Sequence, residues 1–298
     1  MHTAGKKTLS QKLFIAANTT FMILFMLVIL YPVLNIFAIS LSEDTPVLTG
    51  RVTVYPIGWD TTAYENAFNN RLLLKSYLNT VIVAIVGSGF SLVLTSLAAY
   101  PLAYCKFYGK RLISFLIMFT MWFSAGMIPT FMVIRGLGLI NSMFSLIFLH
   151  LISAYNTIIL RNYYESIPIA LVESAYLDGA NDFQVLWKIV TPMAKPSLAI
   201  ILLWCIVGHW NDFFNPLIYL NSTDKYTLQL VLRDIVLEAS GTELFGMTNT
   251  TLDGASHSAI SEQTRNAVVF LAMVPMLIIY PFLQKYFVTG MMIGAVKG

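Results

Sequence analysis

Charge is what this sequence has least of: Asp, Glu, Lys and Arg together make up 11% of its 298 residues. A soluble domain carries about 25%, so this chain cannot clothe a water-facing surface of its own. Cysteine is nearly absent as well. Cys105 and Cys205 stand in or beside apolar runs with no paired spacing, and read as small buried hydrophobes. The four histidines, His2, His150, His209 and His257, show no HExxH or other metal-ligand spacing, so no metal site is expected. No GxxxxGK[ST] loop occurs, so nucleotide hydrolysis by that route must come from another chain. The net charge of +3 is too small to suggest nucleic acid.

Apolar residues are what the chain has in excess: 57% are hydrophobic and the mean hydropathy is +0.72. Several apolar runs approach 20 residues, which at ~1.5 Å per residue cross the ~30 Å hydrocarbon layer. The expected fold class is therefore all-α, a polytopic membrane protein with six transmembrane helices. The spans are expected near 13–41, 77–104, 112–134, 142–160, 196–220 and 267–287. The first run could be read as a signal peptide, with Ala38-Ile39-Ser40 as a small-residue cleavage site. It is nearly twice as long as a signal core of about 7–15 residues and contains Pro32 and Asn35, which favours a retained helix. Pro129 is placed to kink the third span. Gly87, Gly89 and the serines around them would let the second span pack closely on its neighbours.

Between spans, residues 42–76 read as a loop with little regular structure, and Asn221–Arg265 as a long polar loop. Within the latter, Leu228, Leu230, Val231, Ile235 and Val236 suggest a surface helix over Tyr226–Ala239. Six spans put both termini on one side. Segments 1–12, 105–111, 161–195 and 285–298 carry eleven basic and four acidic residues, and the opposite loops seven basic and ten acidic. The positive-inside rule then places the termini and residues 161–195 in the cytoplasm.

That cytoplasmic stretch holds the most informative segment, Glu173–Ser197. Pro168 suits a first helical turn, and Leu171, Val172, Ala175 and Tyr176 recur at helical spacing. Gly179 can adopt the left-handed conformation that ends a helix, while Asn181 and Gln184 form a capping-box pattern that starts another. Val185, Leu186 and Ile189 continue an apolar face until Pro192, which is expected to stop the helix. Two readings fit this pattern: an amphipathic pair lying on the membrane surface, or a docking knob for a cytoplasmic partner. In the second, small residues at the turn (Ala175, Gly179 and Ala180) would permit close approach.

Glu173-Ser174-Ala175, Asp178-Gly179-Ala180, Ile189, Pro192 and Pro196 resemble the EAA loop of ABC importer permeases. That pattern runs Glu-Ala-Ala, three residues, Gly, nine residues, Ile-x-Leu-Pro. Ser174 and Thr191 depart from it, each in a minor way. Trp210-Asn211-Asp212-Phe213, Pro216-Leu217, Gln284-Lys285-Tyr286-Phe287 and the ending Gly294-Ala295-Val296-Lys297-Gly298 resemble the second permease subunit of maltose-type carbohydrate importers. The resemblance implies a type I ABC importer permease fold. Residues 1–71 would be tail, first helix and outer loop; residues 72–285 the core permease domain with its coupling loop at 165–196; and 286–298 a cytoplasmic tail. It further implies a non-catalytic, pore-forming subunit in a bacterial inner membrane, importing a carbohydrate, with an oligosaccharide favoured. Implied partners are a homologous permease, a cytoplasmic ATPase dimer that binds the ATP and Mg, and an extracytoplasmic solute-binding protein; this chain would hold no cofactor itself. Glu173, Ser174, Ala175, Asp178, Gly179, Ala180 and Pro192 would couple to the ATPase, and Gly294, Lys297 and Gly298 would reach it from the tail.

Asp212 lies inside a span, where a charge costs about 2.5–3.5 kcal/mol, so it should face a cavity, a partner or the bundle interior. Trp210, Asn211, Asp212 and Asn215 fit either the wall of a translocation path, where rings stack on sugars, or helix packing. An ion-coupled secondary transporter would instead show internal repeats and several buried charges, which are not evident here. An intramembrane enzyme would have only His209 and Asp212 to work with.

Overall fold

The computed structural model describes residues 8–239 and 261–295, and among them all regular structure is helical. The chain divides into two compact units, the smaller built from residues up to Asn70 with 261–273, the larger from Arg71–Leu237 with 274–295.

In the smaller unit, α1 (Leu9–Ser40) is capped by Thr8 and Gln11 in a reciprocal box. Its side chains from Leu9 to Tyr31 are exposed although mostly apolar, as expected of a helix that faces lipid all round. Its last turns pack differently. Ala38 joins Val47 and Val52 in a small core, Ser42 Oγ accepts from Ile57 N–H at 3.0 Å, and Asn35 Nδ2 donates to the Thr53 carbonyl at 2.7 Å. Residues 42–70 are therefore more ordered than their composition suggests, with two short helices, α2 (Asp44–Leu48) and α3 (Thr62–Asn69). Asp60 starts α3, its carboxylate taking the Thr62 hydroxyl and N–H, which holds its pKa below the usual carboxylate value.

The larger unit is organised on α4 (Arg71–Ala103), whose 33 residues make it about 50 Å long. Its buried face is Ser76, Asn79, Thr80, Val83, Ala84, Gly87, Ser88, Ser91, Thr95, Ser96 and Ala99, a seam of small residues at three- and four-residue spacing. Against it pack α7 (Met143–Leu149), α8 (Ala154–Glu165) and α12 (Lys195–Asn211). In membrane-length terms, α1, α4 and Glu262–Pro281 are single long apolar helices, and three bent pairs raise the possible spans to six.

The bends correct the expected third span. It is two helices, α5 (Lys110–Trp122) and α6 (Met127–Gly136), turned through 116°. The break is not at Pro129. Residues 123–126 open the helix, and Gly126 takes φ +83, while Pro129 sits in the first turn of α6, where a missing N–H costs little. The fourth span is likewise α7 and α8, bent by 50°. The fifth ends at Asn211; Asp212 and Phe213 break it before α13 (Phe214–Tyr219).

At the Arg71 end of α4, Asn141 ties the loops. It sits at φ +56, its Oδ1 accepts from Asn221 N–H at 3.2 Å and Ser222 N–H at 3.1 Å, and its Nδ2 donates to Ser222 Oγ at 2.8 Å. Asn79 Nδ2 donates to the Asp224 and Tyr226 carbonyls, and Lys75 pairs with Asp224 at 3.3 Å. Asn141→Leu should lower stability by about 4–5 kcal/mol, from three lost bonds at ~1 kcal/mol each and ~1–2 kcal/mol of left-handed strain. Asn141→Gly, which loses the bonds but keeps the backbone relaxed, should lose about 3 kcal/mol; unfolding in detergent with neither variant shifted would refute the tie. The helix expected beyond it forms as α14 (Leu228–Ala239), but Leu228, Leu230, Val231 and Leu232 are buried, so it is packed rather than laid on a surface.

The final helix, α15 (Glu262–Ala295), runs past Phe287, where the last span was expected to end. Gly294 is therefore helical, while Lys297 and Gly298 lie outside the described residues.

Candidate functional site

At the Ala103 end of α4, residues 169–193 form a compact helical knob. α9 (Ile169–Leu177) begins one residue after Pro168, which sits just outside the helix rather than in its first turn. It ends in a Schellman motif: Gly179 takes φ +84, its N–H donates to the Tyr176 carbonyl at 3.0 Å, and Ala180 N–H reaches the Ala175 carbonyl at 2.9 Å. Asn181 then caps α10 (Asp182–Val185), its Oδ1 accepting from Gln184 N–H at 2.9 Å while Gln184 Oε1 accepts from Asn181 N–H at 3.0 Å.

Pro192 does not stop the second helix. A π-turn over Leu186–Val190 widens the backbone just before it, and α11 (Thr191–Met193) carries the chain on to Ala194. In a regular α-helix the proline ring would strike the carbonyl four residues back and leave it without a donor; the wider turn removes both problems. The corner comes at Ala194, where the chain turns through 86° into α12.

The knob has an inner and an outer side. Val172, Ala175, Val185, Leu186, Val190 and Ala194 are buried in one core with Ala99 and Tyr100 of α4, Leu160 and Tyr164 of α8, and Leu198 and Ile201 of α12. Ala175 is thus an inward residue, not part of a small outer surface, and Ala180 is half-buried. Glu173, Ser174, Asp178, Gly179 and Pro192 are exposed on the outer side. Leu177 is 90% exposed and Phe183 67%, with Leu171 and Trp187 also exposed. Of this outer set only Leu171 is marked by helical spacing in the sequence; the available signal for Leu177 and Phe183 is that they are large and apolar beside a turn whose inner face is already filled by Val172, Ala175 and Val185.

Three polar side chains join the knob to α4. Tyr176 OH donates to Asp182 Oδ1 at 2.5 Å, Tyr100 OH lies 2.8 Å from Tyr176 OH, and it also stands 3.5 Å from Asp182 Oδ1. Burial and then the bond to Asp182 push the Tyr176 phenol above its ordinary pKa. Beside them Tyr104 OH donates to the Tyr164 carbonyl at 2.5 Å, and Lys110 Nζ caps the end of α4 through the Ala103 and Cys105 carbonyls.

The four polar candidates near the end of α12 do not form one surface. Trp210 is buried, edge-on to Tyr77 with ring centroids 5.5 Å apart. Asn211 Nδ2 bonds back to the Val207 carbonyl in its own helix. Asp212 and Asn215 do meet: Oδ1 accepts from Asn215 N–H at 3.1 Å and Oδ2 from its Nδ2 at 2.8 Å, so the carboxylate caps α13. His209 points elsewhere, its ring against Gly87 and edge-on to His150 at 5.1 Å.

Residues 91–293 match the family model described as the binding-protein-dependent transport system inner membrane component. The chain is 38% identical to the polygalacturonan/rhamnogalacturonan transport system permease protein YtcP of Bacillus subtilis over 279 residues, covering 93% of this chain and 96% of that one. It is 27% identical to the arabinooligosaccharides transport system permease protein AraQ of the same organism, covering 95% of each. Among solved structures it matches a chain of a bacterial ABC transporter that imports the acidic polysaccharide alginate, with a TM-score of 0.85, 35% identity, and coverage of 95% of this chain and 100% of that chain.

Proposed function

Because the chain belongs to the family of binding-protein-dependent transport system inner membrane components, we propose that it is the pore-forming subunit of an ATP-driven carbohydrate importer whose motor grips the 169–193 knob. Its partners are a second, similar permease, a pair of cytoplasmic ATPase subunits carrying the ATP and Mg, and an extracytoplasmic binding protein. The termini and the knob lie on the cytoplasmic side in this reading. The basic turn Lys106–Arg111 supports it, since it adjoins the knob at the Ala103 end of α4. The substrate is a fragment of an acidic polysaccharide, because relatives at 38% and 35% identity serve polygalacturonan/rhamnogalacturonan and alginate.

One observation carries the coupling role: the knob's inner side shares a single core with the ends of α4, α8 and α12, while its outer side exposes Glu173, Leu177, Gly179 and Phe183. A close-packed core does not deform smoothly, so a push on the outer side moves three spans together. Closure of the ATPase pair then switches the pore between inward- and outward-facing states. Trp210, Asn211, Asp212 and Asn215 brace the path, Trp210 against Tyr77 and Asp212 with Asn215 across the α12–α13 break, and Gly294, Lys297 and Gly298 approach the ATPase.

The complex co-expressed with its permease and ATPase partners tests this. Glu173→Lys reverses an exposed charge on the docking face; an unpaired charge in such an interface costs about 2–5 kcal/mol, or roughly 30-fold and upward in affinity. ATPase co-purification and substrate-stimulated hydrolysis should both collapse. Retention of both at the parental level would overturn the docking role.

A further inference from the structure

The knob is two short helices joined through a glycine with nothing within 4 Å of where its Cβ would stand. Such a joint is a pivot. The Schellman motif and the capping box fix each helix end, but neither fixes the pair against α4. From the geometry we infer that Tyr100, Tyr176 and Asp182 form a polar latch that makes both halves of the knob and the end of α4 move as one body. This inference rests on the coupling role proposed above.

Tyr176 precedes the Gly179 pivot and Asp182 follows it, so the 2.5 Å bond between them bridges the pivot. Tyr176 spends its proton on Asp182 and must therefore accept from Tyr100, whose hydroxyl lies 2.8 Å away on α4. The three groups form a chain with one direction: α4 to α9 to α10. Two contacts fix an angle where one would leave a swivel. The shared apolar core carries a push from the knob to α4, and the hydroxyl chain adds to it directional contacts that bridge the pivot. Tyr176 is 42% exposed, so its ring adds little to the core and its hydroxyl is the part in use. Tyr100, Tyr176 and Asp182 are positioning residues: the ATPase is gripped elsewhere, through Glu173, Leu177 and Phe183.

The test separates gripping from transmission. In the assembled complex, Tyr176→Phe and Tyr100→Phe should retain ATPase co-purification, basal hydrolysis within about twofold and an unchanged unfolding temperature. Substrate-stimulated hydrolysis and uptake into vesicles should fall at least about fivefold, the equivalent of roughly 1 kcal/mol. Asp182→Ala should behave alike, while Asp182→Asn, which keeps an acceptor for Tyr176, should recover at least half of the uptake. Uptake unaffected in the Phe variants, or loss of ATPase co-purification in them, would overturn the latch. Failure of the coupling role itself is read separately: Glu173→Lys would then leave co-purification intact, whatever the Tyr variants do.

Discussion

Gly179→Val should abolish uptake, and Gly179→Asn should lower it at least tenfold without loss of folded protein. The two substitutions act through different physics. At φ +84 a β-branched side chain is strained by about 1–2 kcal/mol or more, and relief of that strain breaks the Schellman bonds from Gly179 and Ala180. The end of α9 then unwinds and Leu177 leaves its place at the tip. Asparagine is different, since it visits the left-handed region routinely. Apart from its two chain neighbours, no heavy atom stands within 4 Å of the Cβ position, so the branch starts into open space. A loss of uptake in Gly179→Asn with an unchanged unfolding temperature therefore points to what approaches the knob from outside. Gly179→Asp adds a charge beside Asp178 and should lose more than Asn, by the cost of a second desolvated carboxylate. Measured together, uptake, ATPase co-purification and unfolding temperature sort the three. Wild-type uptake in Gly179→Asn would show that the turn needs only its backbone shape, and that no partner comes close there.

How much of this was legible in the sequence can be seen residue by residue. Gly179, Asn181 and Gln184 act on their own backbone within three or four residues, and their expected roles as helix stop and reciprocal cap match the structure. Pro129 and Pro192 did not act as expected, because a proline's effect depends on which turn it falls in. Pro129 falls in a first turn, and Pro192 follows a π-turn that accommodates it. Ala175 fits both the apolar face and the small-residue turn in the sequence, because smallness alone cannot tell close approach by a partner from close packing within the chain. Only the core around Val172, Val185 and Tyr164 decides that it points inward. The latch was illegible for a related reason: Tyr100 and Tyr176 are 76 residues apart, and nothing local marks their hydroxyls as partners. Trp210, Asn211, Asp212 and Asn215 fit either a path wall or helix packing from sequence alone, because nearness in sequence does not say where each side chain points. Trp210 turns to Tyr77 and Asn211 back to Val207 within α12, while the Asp212 carboxylate is occupied with Asn215 in starting α13.

The second large effect belongs to the seam between α4 and α12. A Cβ at Gly87 would stand 2.6 Å from His209 Nε2 and 2.8 Å from its Cε1, well inside contact distance. His209 is 4% exposed and backed by the His150 ring, so it has little room to swing aside. Overpacking of this kind costs about 1–3 kcal/mol, and in a membrane bundle close backbone approach is itself a main source of helix association. Gly87→Val should therefore lower the unfolding temperature in detergent by roughly 5–10 °C, taking about 2–4 °C per kcal/mol for a chain of this size. His209→Ala alone should also destabilise, because it leaves a void beside Gly87. The informative variant is the pair. If the glycine is there to admit the imidazole, the valine methyls occupy the space that His209→Ala vacates. The double variant should then be more stable than the sum of the single losses by at least about 1 kcal/mol. Strict additivity would mean that Gly87 serves some other need of α4, and that the contact between the two helices is set farther along the seam, at Ser91 and Cys205, whose hydroxyl and thiol stand 3.6 Å apart.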